Sequence, residues 1–205
     1  MEFPYQKDNK ERIPLEHYMG LYEKLDPVAC ARRCGVPYDS EASCFTLKIM
    51  GREYRVAHPA FQTEPEASNP EKILLLRYLL EAEAAPASGK FITYREVPWG
   101  ETYFRNFEGR CLKRLAFSFG SRLDDFRRGM ERLGGKPVET GDAGYEFSFM
   151  EGLYMRFMIW AGDEEFPPSA QILFSDNFKL AFTAEDLAYV GDVSINYLKE
   201  AAQEG

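Results

Sequence analysis

The chain has 205 residues, 45% of them hydrophobic and 15% aromatic, a composition that excludes intrinsic disorder and supplies one substantial core. Its 25 basic and 33 acidic residues leave a net charge of −8, which opposes attraction to phosphate backbones or anionic lipid and argues against nucleic-acid and membrane partners. No apolar run approaches the roughly 20 residues of a spanning helix, and MEFPYQKDNKERIP has no apolar signal-peptide core, so the expected location is the cytoplasm.

Taken in chain order, residues 1–13 are polar and expected to be loose, and residues 15–34 are predicted to be helical in two pieces. Pro27 after Asp26 suits the first turn of the second piece, and Gly35 closes it. Cys44–Met50 and Glu53–His58 alternate as two strands of a hairpin around Gly51, and residues 59–69 form a polar connection. Asn69-Pro70-Glu71 starts a helix, with Asn as the cap; Ile73, Leu74, Leu76, Leu79 and Leu80 make that helix a core crossing. Lys90–Val97 is a short extended piece before a turn at Pro98-Trp99-Gly100.

From Glu101 a helical period returns, burying Phe104, Phe107, Cys111, Leu112, Leu115 and Phe119. Ser121 and Asp124 have capping-box spacing for a helix carrying Leu123, Phe126, Met130 and Leu133 inward, which Gly134-Gly135 stops. Tyr145–Met150 and Leu153–Trp160 read as a second, aromatic-rich hairpin, and Gln171–Phe174 adds a strand. Thr183 and Asp186 again have capping-box spacing, and a last helix lies near Val193–Ala202. The sum is an α+β fold with an antiparallel sheet of about five or more strands and helices packed mainly on one side. No Gly/Ser/Pro-rich linker interrupts the chain, so one globular domain is expected over 1–205.

Four cysteines, Cys30, Cys34, Cys44 and Cys111, are expected as reduced, buried thiols, because a chain of this size folds without covalent staples. Cys30 and Cys34 share a helix face, but their spacing with Cys44 matches no zinc or iron–sulfur pattern, and His17 and His58 do not complete a ligand set. Phosphate-loop, dinucleotide-binding, serine-elbow and zinc-protease motifs are absent, and the sequence names no cofactor.

Two stretches carry candidate chemistry. The turn Tyr94–Tyr103 places free backbone amides beside Arg95, with Trp99 and Tyr103 supplying apolar area, as a seat for a small anion or a flat ring; Trp160 is the other candidate pocket wall. The alternative is that the rings cover the core edge while Arg95 pairs with Glu96 or Glu101. In WAGDEEFPPSAQILFSDN, the carboxylates Asp163, Glu165 and Asp176 offer oxygen ligands to a hard cation if folding gathers them; the alternative is a solvated acidic turn.

WAGDEEFPPSAQILFSDN, the Thr-Ala-Glu-Asp-Leu that comes after it, GKFITYRE at 89–96, Gly100, Tyr103 and the helix around Leu75–Leu80 together resemble domain-of-unknown-function family 3786, an uncharacterised bacterial and archaeal family. The resemblance covers almost the whole chain. It implies no reaction or catalytic residue; some members look like fusions to a cysteine-rich iron–sulfur domain, a cluster this chain lacks. Two functions are compatible with the residues. The first is a domain that binds a small-molecule metabolite or a protein partner. The second is a metal-assisted hydrolase or transferase acting on an anionic metabolite, with Arg95 holding the substrate. Oligomeric state is left open by the sequence.

Overall fold

A computed structural model describes residues 9–203, with side chains from residue 15 onward. The fold is α+β with two antiparallel sheets, one of four strands and one of five. Contacts gather the chain into two compact units, Met1–Leu47 with Glu53–Ala84, and Lys48–Arg52 with Ala85–Gly205. The division at Ala84 falls in AAPASG, which has no regular structure after the helix it ends. Most of the expected looseness of residues 1–13 lies outside the described residues; from Asn9 the chain is helical.

The first unit contains α1 (Asn9–Tyr22), α2 (Pro27–Cys34), β1 (Tyr38–Asp39), β2 (Cys44–Ile49, whose last two residues group with the second unit), β3 (Arg52–Ala57), β4 (Gln62–Glu64) and α3 (Asn69–Glu81). The strands pair in the order β1-β2-β3-β4. β4 runs through the segment expected to be a plain connection, and three residues of alternation are too few to have announced it. Asp26 caps α2 by accepting from the Val28 and Ala29 amides, with Pro27 in the first turn and Gly35 in the left-handed conformation at its end.

The cap of α3 is Ser68, one residue earlier than the Asn69 expected. The Ser68 amide and hydroxyl donate to Glu71 Oε2 at 2.7 and 2.6 Å, so Glu71 satisfies the helix start from within. The far end of α3 is satisfied by Arg33, whose guanidinium donates to the Leu79 and Ala82 carbonyls at 2.6 and 2.5 Å. Cys30 and Cys34 are both buried on one face of α2, their sulfurs 3.8 Å apart and each donating to a backbone carbonyl, Leu79 O and Cys30 O respectively. All four cysteines are free thiols.

The second unit is built on the sheet β5-β9-β8-β7-β6: β5 (Phe91–Thr93), β6 (Lys136–Pro137), β7 (Ala143–Met150), β8 (Leu153–Trp160) and β9 (Ser169–Ser175). Register places Tyr145 opposite Phe157 and Phe157 opposite Ile172, which aligns one buried apolar face. The other face carries Glu146, Arg156 and Leu173 in one row. Arg156 pairs with Glu146 at 2.7 Å and lies over the Phe91 ring at 3.8 Å. The alternation is that of an antiparallel sheet with one face mainly covered, although Met158, on the same face as Arg156, is also buried.

The unit's helices are α4 (Gly100–Phe107), α5 (Arg114–Phe119), α6 (Leu123–Arg132) and α7 (Ala184–Gln203). The helix expected to run unbroken from Glu101 contains a π-helical turn, Glu108–Lys113, between α4 and α5. Phe107, Cys111, Leu115 and Phe119 are buried as expected, whereas Phe104 and Leu112 are only partly covered. Ser121 does not cap α6: Arg122 holds the cap position without a side-chain bond, and Asp124 and Asp125 pair instead with Arg127 and Arg128. The Thr183–Asp186 box does form, with the Thr183 amide and hydroxyl donating to Asp186 Oδ2 at 2.9 and 2.7 Å. From this box a single helix runs to Gln203, and Gly191 within it allows the close approach of Cys111 and Phe107.

Among the described residues no helix is long and apolar enough to cross a membrane.

Candidate functional site

The turn after β5 is built by two local devices. Glu96 Oε2 accepts from the Thr93 amide and hydroxyl at 2.6 and 2.8 Å, closing the 3-10 turn Tyr94–Glu96; these bonds hold the Glu96 carboxyl below its ordinary range. The Gly100 amide then donates to Val97 O at 2.9 Å, and a Cβ at Gly100 would come within 1.9 Å of the Tyr94 carbonyl oxygen. Only glycine permits that approach. The consequence falls on Trp99, forced to φ 66° at the cap of α4, a conformation that costs a non-glycine residue roughly 1–2 kcal/mol.

The four residues proposed from this stretch separate into two groups. Tyr94 is buried: its hydroxyl donates to Ala184 O at 2.7 Å and its ring stacks on Phe107 at 4.0 Å, and burial pushes the phenol well above its ordinary pKa. Arg95 pairs with Glu101 at 3.0 Å, as the simpler reading had it, with its guanidinium 3.8 Å above the Phe104 ring. Trp99 and Tyr103, by contrast, are 77% and 50% exposed. Trp99 is the cap of α4 and Tyr103 lies in its first turn, where the Tyr103 amide donates to Trp99 O at 3.3 Å, so the two exposed rings stand one backbone turn apart.

Trp160 ends β8 opposite Ser169 and is half-buried. The loop beyond it is an Asx turn: Asp163 Oδ1 accepts from the Glu165 and Phe166 amides at 2.9 and 2.7 Å, while the Asp163 amide donates to Phe166 O. Those amides hold the Asp163 carboxyl below its ordinary range. Gly162–Pro168 and Gly120–Ser121 line a cleft of about 360 Å³, and none of Tyr94, Arg95, Trp99, Tyr103 and Trp160 lies in its wall.

The carboxylates expected to gather do not. Asp163 and Glu165 precede β9, whereas Asp176 comes after it, and seven strand residues hold the two ends roughly 20 Å apart. Asp176 is engaged by Ser88, whose amide and hydroxyl donate to it at 3.0 and 2.5 Å, and these bonds depress its pKa. Among the described residues no group of three or more His, Cys, Asp or Glu is placed to hold a metal ion.

Sequence reasoning missed Ser88 and Asn177. Asn177 accepts from the Ser175 hydroxyl at 2.6 Å and donates to Ala85 O and Gly152 O at 2.8 and 2.7 Å; Ser175 in turn accepts from the Tyr154 amide. The Ser-Asp-Asn run is therefore a clasp. It fixes the 85–90 segment and the β7–β8 turn to the end of β9. The signal was present as three consecutive short polar residues after an apolar strand, but their partners outside the run are 21 to 92 positions away, beyond the reach of any local pattern.

A family model, Domain of unknown function (DUF3786), matches residues 26–197, and the chain belongs to that family. No curated protein and no solved structure matches the chain.

Proposed function

We propose that this protein is a cytoplasmic accessory domain that recognises a protein partner through Trp99 and Tyr103. The observation that carries the reading is the exposure of these two large rings, four residues apart in sequence, at a helix start whose cap, Trp99, is held in a costly backbone conformation. Strain of this kind persists only where the surrounding structure over-determines it, and it concentrates at ligand clamps and switch regions. Trp and Tyr are also the side chains that most often dominate binding energy at protein interfaces. Arg95, already neutralised by Glu101 and stacked on Phe104, buttresses the turn rather than holding an anion. Free buried thiols and the acidic net charge support the cytoplasmic setting.

The test uses a photo-crosslinking phenylalanine analogue at position 103 in the native host, with Trp99→Ala introduced alongside. A single crosslinked species that is lost with Trp99→Ala, while the variant keeps the parent's unfolding midpoint, is the expected result. A crosslink to a second copy of the chain would identify the partner as itself. Crosslinking unchanged by Trp99→Ala refutes the reading. So does a metabolite that shifts Trp99 fluorescence saturably, which would return the surface to small-molecule binding.

A further inference from the structure

The first unit gathers two thiols and a cation around one carbonyl. Cys30 and Cys34 lie one turn apart on α2, each 1% exposed, with their sulfurs 3.8 Å apart. Cys30 Sγ donates to Leu79 O at 3.0 Å and Arg33 Nη2 donates to the same oxygen at 2.6 Å, so the sulfur and the guanidinium nitrogen are at most about 5.6 Å apart. The other Arg33 donor goes to Ala82 O, and among the described residues no carboxylate pairs with this half-buried guanidinium. The contact between the thiols also splits their titration: their mutual hydrogen bond holds Cys34 below the ordinary thiol range, and the same bond, with burial, pushes Cys30 far above it.

The spacing decides what the pair can hold. A disulfide needs sulfurs about 2.05 Å apart and Cβ atoms roughly 3.5–4.5 Å apart, whereas helix positions i and i+4 keep their Cβ atoms about 5–6 Å apart, so closing one would pull α2 out of shape. A thiophilic metal ion about 2.3 Å from each sulfur bridges 3.8 Å at an S–metal–S angle of about 110° and asks nothing of the helix. Ligand number then selects the ion. Zinc takes four ligands in a closed site, and among the described residues no third His, Cys, Asp or Glu joins these sulfurs. A soft monovalent ion is held by two thiolates. Charge agrees: two thiolates and a monovalent ion leave one negative charge, which the Arg33 guanidinium balances, while a divalent ion would leave a net positive charge in a buried site.

We propose that Cys30 and Cys34 bind one Cu(I) ion, with Arg33 as the balancing cation. On loading, two S–H bonds break, two Cu–S bonds form and two protons pass to solvent, while copper and sulfur keep their oxidation states. Leu79 O gives up the Cys30 thiol and keeps Arg33, so the end of α3 stays satisfied. The last turn of α2 ends at the exposed Gly35, and opening of that helix end admits the ion. The site does not draw on the Trp99–Tyr103 surface.

Titration of the full, reduced chain under nitrogen with Cu(I) buffered by bicinchoninate tests the site. One equivalent is expected, and the X-ray absorption fine structure of the loaded parent should show two sulfur neighbours at about 2.2–2.3 Å. Cys30→Ser and Cys34→Ser keep a hydroxyl donor for the two carbonyls and should keep the parent's circular dichroism, yet each should weaken uptake by at least about a hundredfold, more than the loss of an outer-shell partner does. Cys44→Ser, at a buried thiol outside the pair, should keep the parent affinity. Nitrogen or oxygen neighbours alone in the loaded parent, equal affinity in Cys34→Ser and Cys44→Ser, or Zn(II) displacing Cu(I) from the parent overturns the proposal. The spectrum is read on the parent, so a variant that misfolds does not shield the proposal from refutation.

Discussion

Replacing Asn177 by Ala tests whether the Ser-Asp-Asn run is a structural clasp. Asn177 is 5% exposed and makes three hydrogen bonds: one accepted from Ser175 and two donated, to Ala85 O and Gly152 O. At a net 0.5–1.5 kcal/mol each, their loss costs about 1.5–4.5 kcal/mol. Ala85 and Gly152 are only partly covered, so water reaches their carbonyls once the amide is gone, and the lower half of that range applies, about 1.5–3 kcal/mol. For a chain of this length that lowers the unfolding midpoint by roughly 3–12 °C.

Asn177→Asp separates donation from shape. It keeps the acceptor for Ser175 but turns an oxygen toward two carbonyl oxygens, which raises the carboxyl pKa in the folded state. A group with a raised folded pKa stabilises below its unfolded value, roughly 3.9, and loses that contribution as pH rises through the folded value. The deficit of Asn177→Asp should therefore be small near pH 3 and full near pH 7. Urea unfolding at both pH values, followed by circular dichroism, reads it. Asn177→Ala within about 0.5 kcal/mol of the parent, or an Asn177→Asp deficit that does not grow with pH, would refute the clasp.

Further outcomes are expected from the same assays. Gly191→Ala gains about 0.8–1 kcal/mol of helix propensity but forces a methyl group onto the fully buried Cys111, at a cost of about 1–3 kcal/mol. Cys111→Ala in the same chain should recover at least about 0.5 kcal/mol, and strictly additive losses would deny the contact. The Asp176 carboxyl, depressed below its ordinary 3.8 by Ser88, stabilises the fold fully above that value and ceases to as pH falls through its lower folded value. Asp176→Asn should thus flatten the acid limb of a urea-midpoint profile between about pH 5 and 2, and superimposable acid limbs would remove Ser88 as its partner. We also propose that the chain unfolds as one domain. β2 is a continuous strand whose residues are divided between the two units, so a single urea transition is expected, and two resolved transitions would contradict it.

Local chemistry was legible along the chain. The Pro27 start and Gly35 end of α2, the box at Thr183 and Asp186, and the strands of the β7–β8 hairpin were legible because a helix end or a tight turn is settled by residues a few positions apart. The four-strand sheet was only half visible, since β1 and β4 are two and three residues long and show no period. Ser121 is not the cap because α6 starts one residue later, with Arg122 at the cap position, and Asp124 pairs with Arg127.

The candidate site divided along the same line. Sequence alone determined that Tyr94, Arg95, Trp99 and Tyr103 belong to one short stretch around a Pro-Trp-Gly turn that feeds a helix, because that follows from adjacency and from turn residues. Only the tertiary structure decided which rings turn inward. Tyr94 is buried because a carbonyl 90 residues away, at Ala184, accepts its hydroxyl, whereas Trp99 stays in solvent. The same holds for the acidic residues. Their spacing could not show that β9 stands between Asp163 and Asp176, since the distance between two side chains is set by the element that joins them, and a strand keeps its ends apart where a turn brings them together.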